Sequence, residues 1–344
     1  MKFLKTIFSA VLLVLIATNI QAQTQGQAIE LYNNGLSEAQ SAEYQKAINT
    51  FGQVITIANQ LGPDGEEVLE NAQNQLLRAY YNLAVSDYEA FQSDRSIANI
   101  ESTLNSFRDL QQVSDDYGNT SYKERAEAII PQLLYAKASM HYSADELELS
   151  EAEVDRALNL NSNYAAAYFL KARIFKKIND TEGDGIIDEN IDQMLEWFDR
   201  AIQVAEATGR NNIASRAREA AHDELLAVGA NYINNENFRN AIQNLELALD
   251  YNAESADVYF RLAEANNGTG NPDQALAHAT TALEYETGGR TDLARIYFEL
   301  GYAHQTLGNN VEACEALSNA VYGSFKDNAE YIMEHELKCE SSTD

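Results

Sequence analysis

The chain has 344 residues, 53 of them acidic against 24 basic, for a formal net charge of -29 at pH 7. Such a surface repels nucleic-acid phosphates and anionic lipid headgroups, which argues against both as partners. It suits cationic ligands, calcium, or simply solubility in salt.

The first element is a leader. Lys2 and Lys5 precede an apolar run from Ile7 to Ile20, and Ala22 offers a small residue at the cleavage point, the pattern of a secretory signal peptide cut before Gln23. The run is shorter than the ~20 residues a spanning helix needs. No cysteine near the cut offers a lipid attachment point. Cleavage near Ala22 leaves 22 basic and 53 acidic residues, a net charge of -31, on an exported chain with no later stretch long and apolar enough to span a membrane. The expected location is periplasmic or extracellular.

Beyond the leader, hydrophobic residues recur every three and four positions, no alternating strand pattern appears, and only three prolines occur, so helix is expected throughout. Leu31, Gly35, Tyr44, Ala47, Phe51 and Val54 form a first helix pair. Glu66 to Gln92 and Ser121 to Tyr142 read as long helices, and Pro131 inside the second is expected to kink it or mark its start. Asn212 to Ile233 reads as another long helix. From there a phrase recurs in which a small residue is followed by alanine twelve and nineteen positions on: Gly229, Ala241, Ala248; Ala263, Ala275, Ala282; Gly301, Ala313, Ala320. Successive phrases are offset by 34 and 38 residues, a period that marks stacked two-helix units. Asp327 to Lys338 reads as a final helix, with Asp327 and Glu330 as a capping pair and Tyr331, Ile332 and Leu337 facing inward to cover the stack's end.

These residues resemble the tetratricopeptide repeats, whose pattern has small residues at repeat positions 8, 20 and 27 and large apolar or aromatic ones at 4, 11, 17 and 24. Gly229, Tyr232, Phe238, Ala241, Leu245 and Ala248 fill one unit; Tyr259, Leu262, Ala263, Gly270, Ala275 and Ala282 the next; Leu300, Gly301, Gly308, Ala313, Leu317 and Ala320 the last. Position 8 falls on Gly35, Ala84, Ala138, Ala172, Gly229, Ala263 and Gly301, with Ser96 and Ile100, and then Ser150, at less usual places in units two and three. The resemblance implies an all-α, right-handed α-solenoid of about seven helix-turn-helix units. They are expected at 23–62, 63–118, 119–164, 165–208, 209–255, 256–288 and 289–325, with a capping helix and tail at 326–344.

In the family the first helices line a concave groove, into which repeat position 5 points. Here that position carries Tyr32, Tyr81, Tyr135, Phe169, Leu226, Phe260 and Phe298. The six aromatics are candidate contacts for a peptide or helix, although an aromatic at this position is usual in the family whether or not it binds anything. The lysine, arginine and asparagine clamp with which some members grip a C-terminal carboxylate is largely missing, since only Arg78, Arg173 and Lys176 stand at its places. Lys171, Arg173, Lys176 and Lys177 are the densest basic cluster, suited to an acidic segment or to balancing nearby acids.

Those acids lie in an insertion at 180–189, between the two helices of unit four. It resembles the first nine positions of a calcium loop, with Asp180, Glu182, Asp184 and Asp188 as metal candidates, Gly185 at the sharp turn and Ile187 at the inward apolar place. Ile191 stands where a bidentate acid belongs, and Asp192 follows one place late, so a solvated acidic loop is the alternative. Cys314 and Cys339, an even number in an exported chain, are expected to form a disulfide across a turn near Ser324, with two separate core thiols as the alternative. His141, His222, His278, His304 and His335 show no paired zinc spacing, and neither a phosphate loop nor a serine elbow occurs.

The function expected is a non-catalytic exported scaffold that holds a protein or peptide and has no cofactor other than the calcium of that loop. The alternatives are a calcium-responsive structural protein of the cell envelope and a repeat-built enzyme acting on envelope polymers.

Overall fold

The computed structural model describes residues 24–181, 183, 186–187 and 190–339. The expected leader and its expected cut near Ala22, the acids Glu182, Asp184 and Asp188, the turn glycine Gly185 and the tail 340–344 lie outside the described residues. No strand occurs among them, and helices follow one another as consecutive packed pairs. The chain forms two compact units that divide after Asn161.

The first unit holds α1 (Gln25–Gln40), α2 (Tyr44–Leu61), α3 (Glu66–Ser93), α4 (Ile97–Asp116), α5 (Thr120–Ser143) and α6 (Leu147–Leu160). A capping box starts α1: Thr24 Oγ1 accepts from Gln27 N–H, while the Gln27 side chain accepts from Thr24 N–H. Gly35 lets α2 come close, because a Cβ there would lie 2.7 Å from the Phe51 ring. The early turns of α3 carry Val68 and Ala72 into a core with Ala28, Val54 and Ala58, so the extra length of this helix covers the first hairpin. In the second hairpin α3 runs on to Ser93, and Ser96 caps α4 by accepting from Asn99 N–H. Ser96 therefore starts the helix and does not pack inside it as the repeat register places it. Pro131 lies inside α5, which continues on both sides, so it does not mark the start of the helix. Ser150, at an alanine place in the pattern, is fully buried because its Oγ donates to the Ala138 carbonyl across the hairpin at 2.7 Å.

The second unit holds α7 (Ala165–Asn179), α8 (Ile191–Ala207), α9 (Asn211–Asn234), α10 (Phe238–Tyr251), α11 (Ala256–Gly268), α12 (Pro272–Tyr285), α13 (Arg290–Leu307), α14 (Asn310–Asn319) and the short α15 (Lys326–Tyr331). A Cβ on Gly229 would lie 2.6 Å from Leu245, and one on Gly301 2.7 Å from Leu317. Every alanine of the three phrases is buried. The last helix differs from the one read in the sequence. Phe325, drawn onto Phe298 with ring centroids 5.3 Å apart, sits at the N-cap, and no side chain caps the helix, so Asp327 lies inside the first turn. The α-helix ends at Tyr331 and passes into a π-helical turn over Ile332–Leu337, closed by left-handed Lys338. Cys339 is thereby brought back to Cys314, and the two form a disulfide with Cα atoms 5.7 Å apart. Ala329 and Ile332 cover Leu317 and Ala320, which closes the apolar end of the last hairpin.

Candidate functional site

The position-5 aromatics stand on first helices, but they do not form an open ladder. Tyr32 leans on Phe51 of its own hairpin at 5.9 Å, and Phe260 is only 4% exposed. Phe298 is covered by Phe325. In three cases an arginine from the next first helix lies over the ring: Arg125 over Tyr81 at 5.5 Å, Arg216 over Phe169 at 5.1 Å and Arg295 over Phe260 at 4.8 Å. Each pair gains cation–π attraction of ~0.5–1 kcal/mol at such partly exposed sites. Arg125 also lies over Tyr122, which packs 5.1 Å from Tyr81. Arg125 and Arg216 are exposed and take part in no ion pair among the described residues. Arg295 is instead held by Asp257 at 2.6 Å and Glu286 at 2.9 Å.

Tyr135 lines a cleft of about 590 Å³ between the ends of α3 and α5, with Phe91, Arg95, Ala136 and Met140. The serine hydroxyls beside them are turned back on their own helix, Ser139 to the Tyr135 carbonyl and Ser143 to the Ser139 carbonyl. This leaves a mainly apolar recess with Arg95 as its charged lining residue.

The basic cluster of α7 is consumed by neighbours. Lys171 lies 4.3 Å from the Trp197 ring centre, Arg173 lies over Phe169, and Lys176 pairs with Glu224 of α9. Burial holds the Glu224 carboxyl above the usual carboxylate range, and Lys176 offsets this only in part. Of the four metal candidates only Asp180 is described. Its Oδ1 accepts from Gly183 N–H at 2.8 Å, while Ile187 is buried as the loop pattern expects. Among the described residues no group of three or more metal-ligating side chains converges.

One arrangement has the composition of a catalytic triad. His222 bonds Ser255 Oγ through Nε2 and Asp223 through Nδ1, both at 2.9 Å. Ser255 is buried and caps α11, its Oγ accepting from Val258 N–H. The set ties α9 to the start of α11, and the hydroxyl is held away from solvent.

Glycine under a large side chain sixteen residues later, at Gly35 and Phe51, Gly229 and Leu245, and Gly301 and Leu317, marks the close helix pairs of the architecture. The chain folds as tetratricopeptide-like repeats. No family model matches it, and no curated protein does. Solved structures that resemble it include MamA, at 14% identity over 61% of this chain and 97% of that one, with a TM-score of 0.36. YrrB, described as a tetratricopeptide protein with an unusual peptide-binding site, matches at 21% identity over 61% and 95%, TM-score 0.34. The C-terminal part of a repeat-containing protein from Cytophaga hutchinsonii matches at 12% over 87% and 98%, TM-score 0.37. The fold assignment rests on the helix pairing and the glycine contacts above.

Arg125 and Arg216 were not singled out by the repeat pattern, which has no place for them. Both stand ten residues before position 5 of their units, on the turns by which α5 and α9 exceed an ordinary first helix. The shared offset is the signal that finds them.

Proposed function

We propose that this protein is an exported, non-catalytic scaffold that holds another polypeptide against the faces that the first helices build within its units. The observation that carries the reading is that in each unit an exposed guanidinium, in no ion pair among the described residues, lies over a first-helix ring, Arg125 over Tyr81 and Arg216 over Phe169. Rings offer apolar area at little entropic cost, and the guanidinium forks offer donors to carboxylates or backbone carbonyls of an extended or helical segment. Because the helices are preformed, little ordering cost falls on the scaffold. Affinity capture from the protein's own cell envelope, with mass spectrometry of what is retained, tests this. Specific retention of a polypeptide, reduced by a joint Arg125→Gln and Arg216→Gln variant, is the expected result; nothing above background counts against a stable protein partner.

A second reading, a calcium-responsive structural protein of the envelope, draws support from the Asp180–Gly183 turn and the inward Ile187. It requires calcium to raise the melting temperature of the wild type and Asp184→Ala to abolish the rise. Equal melting with and without calcium removes it.

A further inference from the structure

The most deeply buried acid with a perturbed proton affinity sits between the first helices of the last two full hairpins. Glu299 of α13 is 8% exposed, and among the described residues its carboxyl bonds Asn267 of α11 alone. The Asn267 Nδ2 amide spans both parts of Glu299, donating to its backbone carbonyl at 3.0 Å and to its carboxyl Oε2 at 2.7 Å. These two bonds fix the direction of the amide, and they leave Asn267 Oδ1 buried with no donor. A buried acceptor without a donor keeps the cost of leaving water and gains no bond in return. A carboxylate beside it cannot help, because an ionised carboxylate only accepts.

A protonated carboxyl can help, since it gains one O–H donor next to the amide that already bonds it. We propose that Glu299 carries a proton in the folded protein and shares it with Asn267 Oδ1, so that acid and amide form a two-bond pair that ties α11 to α13. Loss of that proton to solvent leaves the single amide bond and an unsolvated charge in the joint. Two charged groups on α11 act on the acid: Glu264 favours the proton and Arg261, which is paired with Glu264 at 2.7 Å, opposes it. Burial is the largest cause and pushes Glu299 up to about 7, against the Asn267 N–H bond, which favours the ionised form. The joint is thus tight at mildly acidic pH and loosens as the pH passes through neutrality, whatever the first-helix face binds.

The sign follows from linkage. The folded-state value is raised above that of the unfolded chain, so the stabilising effect is complete below the unfolded value and lost as pH rises through the folded one. Between pH 5 and pH 8 this one group should lower the equilibrium constant for closing the joint on the order of a hundred-fold. The test is a carbon-13 NMR titration of the mature full-length chain labelled at glutamate, with amide hydrogen exchange of α11 and α13 at both ends of that range. One carboxyl resonance, absent from Glu299→Gln, should titrate near neutrality. Exchange protection should fall with rising pH in the wild type and stay level in Glu299→Gln, whose carboxamide keeps a permanent donor. If every glutamate resonance titrates in the ordinary carboxylate range, the proposal is wrong even should the glutamine variant fail to fold. Equal pH dependence of exchange in the two proteins also overturns it.

Discussion

Hairpins α13–α14 and α3–α4 bring two helices together with opposite materials. In α13–α14 the approach depends on missing atoms: Gly301 lies under Leu317, and Ala313, Ala316 and Ala320 are buried. In α3–α4 bulk and polar bonds fill the same role. Ile100, Leu104 and Phe107 pack against α3 and α5, while the Asp87 carboxylate accepts from Ser102 at 3.2 Å and from Ser106, and its carbonyl accepts from Thr103 at 3.0 Å. The small-residue hairpin should therefore be intolerant of added atoms, and the bulky one of removed atoms. In a repeat stack each change should act mainly on its own hairpin and the adjoining ones.

The largest effect is expected where bulk is deleted. Phe107→Ala should cost about 4 kcal/mol, lowering the urea midpoint and the exchange protection of α4 and α5 while α13 and α14 keep theirs. Next comes the covalent tie that only the C-terminal end possesses. Cys314→Ser should cost about 3.5 kcal/mol in the loop-entropy model and release α15 first, which protease sensitivity near Phe325 would register. Adding one methyl in the small-residue hairpin, Gly301→Ala, should cost about 2 kcal/mol by forcing Leu317 aside. A helix-propensity gain of about 1 kcal/mol opposes it, so a net stabilisation would show that the helices can separate freely. The smallest effect is Arg125→Gln, about 0.5–1 kcal/mol, seen as increased exposure of Tyr81 and Tyr122 with the hairpins intact.

The same contrast explains what could be read from the sequence. Gly229, Ala241, Ala248 and their repeats announce close helix pairs, because nothing but a small side chain fits there, and Phe51, Leu245 and Leu317 fall at a fixed distance from their glycines. The second hairpin was harder to place, since α3 overruns its repeat and Ser96 becomes a cap, a change set by helix length and not by residue size. The final helix defeated the capping pattern because the contact of Phe325 with Phe298, distant in sequence, decides where it begins. Aromatics at position 5 were legible as a row. Their covering arginines come from the following units, and two of them, Arg125 and Arg216, stand on extra turns outside the repeat pattern.

Whether the first-helix face carries the function can be asked most directly by placing a photo-crosslinking amino acid at one of two exposed positions in the protein expressed in its own cells. Tyr302, 43% exposed, follows Phe298 by four residues and shares its side of α13, whereas Leu247, 39% exposed, stands on a second helix, α10. The account predicts a discrete polypeptide adduct from Tyr302 and none from Leu247. Adducts from Leu247 alone would contradict it.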